Sequence, residues 1–162
     1  MSLEELKIID ASNLPVGKLV SMIARGHTIY LNHNLKDSDI NATQLHLLFE
    51  ISHQCNINQD KIASRCNINK GSVARSIKKL EDKKLVIREI DEKNRRQNKV
   101  SLTSKGEETL KKSIEILNDW ENEVFKDHKK EDKELLQIAL KDVVIKTIEL
   151  NQKENRNGTK EK

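Results

Sequence analysis

The spacing of apolar residues predicts an α-helix that follows the single proline. Proline is tolerated in the first turn of a helix, and Asn13-Leu14-Pro15 therefore suits a helix start. Apolar residues then recur at helical spacing, at Val16, Leu19, Val20, Ile23 and Leu31. A second helix is predicted after Asn41, because Gln44 stands three residues beyond it in a capping-box pattern. The lead-in 1–13 is weakly apolar, and we expect it to be a flexible arm or a segment that packs on a partner subunit.

Two short helices joined by a tight turn are predicted next. Asn58 can cap a helix that ends near Arg65, and Asn67 suits a tight turn because Asn tolerates the left-handed conformation. Asn69 can cap a third helix from Lys70 to about Lys84. The inward face of that helix repeats at i, i+4 and i+7, with Val73, Ile77 and Leu80. This arrangement is typical of a helix-turn-helix, whose second helix here carries outward Lys and Arg.

The pattern then changes to that of a β-hairpin followed by two long helices. Residues 85–90 are rich in β-branched side chains, residues 98–102 alternate, and the polar stretch 91–97 between them predicts a charged tip, or wing. A long helix begins at Thr103 or Ser104, and a last helix runs from Asp132 to about Gln152. Because that last helix is apolar on more than one face, it needs a second covering surface, which another subunit would supply.

These elements predict a mainly α fold, with six helices and a small β-hairpin wing, that dimerises through its terminal helices. The expected organisation has four parts. These are an N-terminal arm and dimerisation helix (1–36), a winged helix-turn-helix domain that binds DNA (37–103), C-terminal dimerisation helices (104–152) and a disordered tail (153–162).

The charge distribution favours a polyanion as partner. The formal net charge of the chain is +4, but residues 58–105 contain 14 Lys or Arg against 6 Asp or Glu. A basic block within an otherwise acidic chain is typical of a nucleic-acid-binding patch. A solvated lysine-rich surface is the alternative that the charge count alone leaves open.

Other features of the composition narrow the class of protein. Four aromatic residues in total argue against the stacking surfaces that bind single-stranded nucleic acid. No apolar run approaches the length of a membrane span, and no secretory leader is expected, so we predict a cytoplasmic protein with no membrane partner. Cys55 and Cys66 are expected to be reduced thiols with a place in the core.

Several segments resemble the MarR family of bacterial and archaeal transcription regulators. Residues 62–69 resemble the family pattern LAxxLGVS, and residues 73–81 resemble VTRxVxxLE. Residues 84–88 resemble GLVxR, with Lys84 where the family often has Gly. Residues 91–106 resemble the family's wing followed by VxLTxKG, with Asn94 where an Asp is usual. The resemblance covers roughly residues 14–150 and implies a homodimeric regulator of transcription, typically a repressor, that binds a pseudo-palindromic operator in double-stranded DNA.

We expect the helix that begins at Lys70 to enter the major groove and the wing to reach the minor groove. The resulting DNA-binding candidates are Lys70, Gly71, Ser72, Ala74, Arg75, Lys78, Lys79, Lys93, Arg95 and Arg96. An alternative for Arg75 and Lys78 is ion pairing within the helix, for which Glu81 and Asp82 are the available partners of Lys78. The two wings and helices of a dimer would meet DNA about one helical turn, roughly 34 Å, apart.

The resemblance also implies an effector, since family members often bind phenolic or other anionic small molecules beside the dimer helices. The polar candidates here are Arg25, His27, Tyr30, His33 and His46. Each of them could instead be a surface or core-edge residue. No cofactor or metal is expected, because His46 and His53 lack further ligands.

An enzyme is the first competing class, and the chain has no glycine-rich phosphate loop, His-Glu-x-x-His pattern or nucleophile elbow. We therefore expect no catalytic activity. A winged-helix module for protein–protein contact, without specific DNA binding, is the second alternative.

Overall fold

The structure is a computed structural model that describes residues 1–54, 56–90 and 98–158. Within these ranges there are seven α-helices and three short β-strands. The helices are α1 (Leu3–Ile8), α2 (Val16–Asn34), α3 (Ala42–His53), α4 (Gln59–Cys66), α5 (Lys70–Asp82), α6 (Ser104–Phe125) and α7 (Lys130–Gly158). The strands are β1 (Ile57–Asn58), β2 (Val86–Ile90) and β3 (Asn98–Leu102). In the described part of the chain, no helix has the length and apolar character to cross a membrane.

Three asparagine caps fix the start of the helices at the centre of the fold, as the sequence predicts. Asn41 forms a full capping box with Gln44, and Asn58 and Asn69 each accept a hydrogen bond from a backbone N–H in the first turn of α4 and α5. Asn67 ends α4 in the left-handed conformation with φ of 51°. The turn between α4 and α5 is therefore the tight one that a helix-turn-helix requires.

The three strands form one antiparallel sheet in the order β1-β3-β2. In β2 and β3, Val86 lies opposite Leu102 and Ile90 opposite Asn98, so the two strands form the predicted hairpin. β1 is not predicted from the sequence, and it is a two-residue strand in which Ile57 lies opposite Val100. This strand joins the start of the helix-turn-helix to the wing.

Residues 1–120 form one compact unit around an aliphatic core. The core collects residues from α2, α3, α4, α5, the sheet and α6, so the helix-turn-helix and the wing share one apolar interior. Its fully buried large side chains include Leu35, Leu47, Leu48, Ile51, Ile57, Ile62, Val73, Ile77, Leu80, Val86 and Val100. Burial of each such side chain contributes about 1.5–3 kcal/mol, which holds the helix-turn-helix and the wing strands on a common base.

Two differences from the predicted elements lie at the ends of the chain. Residues 1–13 contain the short helix α1, whose capping box joins Ser2 and Glu5, so the described residues form seven α-helices rather than six. The last helix begins at Lys130 and continues to Gly158, into the range for which the sequence predicts a disordered tail. Residues 1–13 are too short, and residues 153–158 too polar, to show a clear apolar period, and α1 starts at a local capping box instead.

Residues 121–162 form a second compact unit. Lys133 near the start of α7 lies 2.5 Å from the carboxylate of Glu121 at the end of α6, and its ammonium lies 5.4 Å from the ring centroid of Phe125. The apolar side chains of α7 are solvent-exposed in the single chain, and they are Leu135, Leu136, Ile138, Leu140, Val143, Val144, Ile145, Ile148 and Leu150. A helix with this many exposed aliphatic side chains has an unpartnered apolar surface.

Candidate nucleic-acid interface

One face of α5 anchors the helix and the opposite face presents short and cationic side chains. Val73, Ile77 and Leu80 are buried, as the sequence predicts. The candidates on the other face are exposed or partly exposed, and they are Lys70, Gly71, Ser72, Ala74, Arg75, Lys78 and Lys79. Because the anchor residues recur once per helical turn, every exposed candidate on α5 projects away from the core.

The small residues at the start of α5 leave its first turn open. A Cβ at Gly71 would meet only ordinary van der Waals contacts, at 3.5 Å from Asn69 Oδ1 and 3.6 Å from a nitrogen of Arg75. The fold therefore does not require glycine at this position. The missing side chain leaves room for another surface to approach the backbone closely.

Most of the cations on α5 have partners within the chain. The Nη2 atom of Arg75 donates a hydrogen bond of 3.0 Å to Ser72 Oγ, which turns the guanidinium toward the first turn of the helix. Lys78 lies 3.4 Å from Asp82, so the helical ion pair considered as an alternative for Lys78 is present. Both side chains of that pair are more than 60% exposed, so the pair is weak and a phosphate can replace Asp82 as partner.

Asp60 is a partner that the sequence analysis misses. It lies in the first turn of α4, and its carboxylate is 3.0 Å from Nζ of Lys70 at the start of α5. The two residues are ten positions apart and on different helices, so helical spacing gives no signal for this pair. The tight turn at Asn67 brings them together.

A second unpredicted ion pair joins α5 to the wing. Arg88 on β2 donates a hydrogen bond to Glu81 in the last turn of α5. The hydrogen bond from Arg88 lowers the pKa of the Glu81 carboxyl, and the same bond raises the pKa of Arg88. Both side chains are about one-third exposed or less, so this pair is better shielded from water than those on the outer face of α5. The base of the wing is thus tied to the end of α5.

The wing-tip candidates Lys93, Arg95 and Arg96 lie outside the described residues, as does Asn94. Their roles stay predictions from the sequence. The flanking strands are described, and β2 and β3 stay paired up to Ile90 and Asn98, the last described residues before the tip.

An open cavity of about 500 Å³ lies between α2, α3 and α6 within the first unit. Its lining includes His27, Leu31, Leu45, His46, Phe49 and Glu50. His27 packs on Trp120, with ring centroids 4.4 Å apart. Burial lowers the pKa of His27, which favours its neutral form. The volume lies within the range of about 300–1,000 Å³ that small-molecule sites commonly have.

The structure brings two of the five effector candidates to this cavity. His27 and His46 line it, whereas Arg25 and His33 are exposed elsewhere on α2 and Tyr30 packs beside the core. Glu50 also lines the cavity and is not predicted from the sequence, because its position on α3 resembles that of any polar residue at the edge of an amphipathic helix.

The described thiol and carboxylate groups give no sign of metal or redox chemistry. Cys66 is a half-buried free thiol. Its pKa is raised mainly by burial and to a smaller extent by the nearby Glu50 carboxylate, so the reactive thiolate is disfavoured. Cys55 lies outside the described residues. Among the residues that the structure describes, no group of three His, Cys, Asp or Glu is arranged to hold a metal ion.

The fold and the exposed face of α5 define a winged helix-turn-helix protein. Comparison with known proteins shows what the chain is similar to. Residues 40–97 match the sequence model of the MarR family. The HTH-type transcriptional regulator BilQ of Clostridium symbiosum is 27% identical over 109 residues, which cover 67% of this chain and 76% of BilQ.

Solved structures share the same architecture over most of the chain. A MarR transcriptional regulator from Methanosarcina mazei Go1 superposes with a TM-score of 0.80 and 27% identity, covering 83% of this chain and 97% of that one. A mutant MarR from E. coli complexed with operator DNA gives a TM-score of 0.73 and 25% identity, covering 83% and 99%. The chain thus resembles MarR-family proteins in the sequence of residues 40–97 and in fold over most of its length.

Proposed function

We propose that this protein is a sequence-specific double-stranded DNA-binding regulator of transcription that acts as a repressor, and not an enzyme. The observation that carries the proposal is the outer face of α5. Buried Val73, Ile77 and Leu80 hold the helix on the core while Arg75 and Lys79 project outward. The same architecture in E. coli MarR is known in complex with operator DNA, and BilQ is a transcriptional regulator. The cytoplasm is its proposed location, because the DNA is there.

The side chains of α5 suit two different kinds of contact. A guanidinium can bind the O6 and N7 atoms of guanine with two hydrogen bonds, and we assign this base contact to Arg75. Ser72 is within reach of the same base edge or of a phosphate. Lys78 and Lys79 lie farther along the helix, where phosphate contacts position a protein without reading the sequence. In addition, we assign contacts with the minor groove to the wing residues Lys93, Arg95 and Arg96.

The proposed assembly is a homodimer. The exposed apolar side chains of α7 and of the N-terminal segment, including Leu3 and Ile8, supply surface that another subunit would cover. A two-fold protein reads a two-fold operator, so dimerisation would set the distance between the two copies of α5 at about one turn of DNA, roughly 34 Å. Sedimentation at micromolar concentration tests this, and a mass near that of one chain contradicts it.

Regulation is proposed to run through the cavity between α2, α3 and α6. These helices connect the helix-turn-helix to the termini, so a bound small molecule could change the spacing of the two α5 copies. Such an effector lowers operator affinity only if it binds the DNA-free arrangement more tightly than the DNA-bound one.

The test begins with the selection of bound duplexes from a random pool, which gives an operator sequence. Affinity is then measured against salt concentration. We expect a steep fall in affinity as salt rises, because cations on the protein replace counterions on the phosphates. Absent or salt-independent binding would favour the alternative, a winged-helix module for protein–protein contact.

Two variants and a control separate base reading from phosphate contact. Arg75→Ala is expected to cost about 1–3 kcal/mol of operator affinity and to relax the preference at one base pair. Lys79→Ala is expected to weaken binding to all sequences alike and to reduce the salt slope by about one. Lys112→Ala removes an exposed cation from α6 and should leave both quantities unchanged. If Arg75→Ala leaves sequence preference intact, the assignment of the base contact to Arg75 is wrong.

A further inference from the structure

The wall of the cavity between α2, α3 and α6 contains one carboxylate. Glu50 is the only Asp, Glu, Lys or Arg among the described residues that line the cavity. The rest of the lining is mainly apolar and includes Leu31, Leu45, Phe49 and Leu117. A ligand that fills this cavity would therefore meet aliphatic and aromatic walls and one carboxylate.

The carboxylate of Glu50 is held in place but is short of hydrogen-bond donors. Its Oε2 atom lies 2.8 Å from Nε of Arg65, a side chain that is outside the cavity lining. That oxygen is buried, and within the described part of the chain it accepts no hydrogen bond of good geometry. The Glu50 side chain is 17% exposed. A carboxylate can accept about four hydrogen bonds, so Glu50 keeps capacity for a donor on a ligand.

The two histidines do not reverse this charge. Burial against Trp120 lowers the pKa of His27, so the ring that reaches the cavity is favoured in its neutral form. His46 lies at the exposed side of α3. Arg65 pairs with Glu50 from outside the lining, so the side of this ion pair that an anionic ligand would meet is the carboxylate, and no Lys or Arg is among the described lining residues.

We propose that this cavity binds a small aromatic amine, with the ring among the leucines and the protonated amino group at Glu50. The inference rests on the proposed effector role of the cavity, and it differs from the phenolic or anionic ligand that family resemblance alone implies. Phe49 adds an aromatic face beside the cation, which stabilises a desolvated ammonium further.

The experiment compares three ligands that share one ring system and differ in charge. They are 1-naphthylmethylamine, 1-naphthalenemethanol and 1-naphthoate, and their binding to the full chain is measured by isothermal titration calorimetry without DNA. We expect the amine to bind at least about tenfold more tightly than the carboxylate, with the alcohol between them. Tighter binding of 1-naphthoate, or no binding of any of the three, would overturn the proposal.

A variant pair assigns the selectivity to one side chain. Glu50→Gln keeps the size of the side chain and an oxygen for Arg65, and it should reduce the preference for the amine to less than about threefold. Glu115→Gln removes an exposed carboxylate from α6, outside the cavity lining, and should keep the full preference. An unchanged preference in Glu50→Gln contradicts the role of Glu50.

Operator binding is measured separately on the ligand-free protein, so the two proposals can fail independently. Specific DNA binding without ligand selectivity would support the proposed regulator and contradict the proposed amine ligand. Selective amine binding without DNA binding would support the amine ligand and contradict the proposed regulator.

Discussion

Replacing Gly106 with Ala would push a methyl group into the backbone that precedes the wing. A Cβ at Gly106, in the first turn of α6, would lie 2.0 Å from the carbonyl oxygen of Leu85 and 3.0 Å from its carbonyl carbon. Carbon and oxygen atoms ordinarily approach to about 3.3 Å, so α6 would have to move away by more than about 1 Å. Backbone atoms cannot turn aside as a flexible side chain can.

Such a movement would also disturb the hydrogen bonds that join the start of α6 to the residues before β2. Thr103 donates its backbone N–H to Leu85 O at 3.1 Å and its hydroxyl to Lys84 O at 2.7 Å. The same hydroxyl caps α6 by accepting from the N–H of Gly106 at 3.0 Å. Thr103, rather than Ser104, is therefore the residue on which the close approach of Gly106 depends.

The expected loss follows from these contacts. Overpacking of this kind costs about 1–3 kcal/mol, and each hydrogen bond that is lost adds about 1 kcal/mol. Alanine regains about 1 kcal/mol in a helix relative to glycine. We therefore expect Gly106→Ala to lower the free energy of unfolding by about 3 kcal/mol. The free energy of unfolding of a typical domain is only about 5–15 kcal/mol, so this loss is large.

Urea denaturation followed by circular dichroism, at one fixed protein concentration, measures this change. Gly26→Ala is the matched control, because a Cβ at Gly26 in α2 meets nothing within 4 Å. That variant should be as stable as the parent or more stable by up to about 1 kcal/mol. If the two variants have equal unfolding free energies, the close approach at Leu85 does not constrain the fold.

Three further predictions concern single features. Lys84 has a φ of 60°, so Lys84→Gly should raise the unfolding free energy by up to about 1 kcal/mol in the same urea assay, and a loss would contradict the strain. A double-mutant cycle with Glu81→Gln and Arg88→Met should give a coupling of about 1 kcal/mol that decreases in high salt, whereas additive effects would rule out the pair. Because burial lowers the pKa of His27 in the folded state, the unfolded state binds its proton more readily, and stability should fall as pH drops below about 6.5. His27→Phe should flatten that fall in thermal unfolding measured from pH 7.5 to pH 5.5, and an identical pH profile would exclude His27 as its source.

The sequence alone was enough for the features that depend on neighbouring residues. Asn41, Asn58 and Asn69 cap helices because their side chains reach backbone donors three positions away. The buried stripe of α5 and the two strands of the wing follow from periods of 3.6 and 2 residues. These local patterns were sufficient to predict the fold class and the outward-facing candidates on α5.

The tertiary structure alone decided the features that join distant parts of the chain. Ile57 forms a strand because Val100 is there to pair with it, and two residues are too few to show a period. Glycine at position 106 is needed because the backbone at Leu85 lies against it, which no spacing within α6 reveals. Glu50 becomes the charge of a cavity because three helices pack around it. Each of these depends on distances between atoms that are far apart in sequence, and those distances exist only once the core has formed.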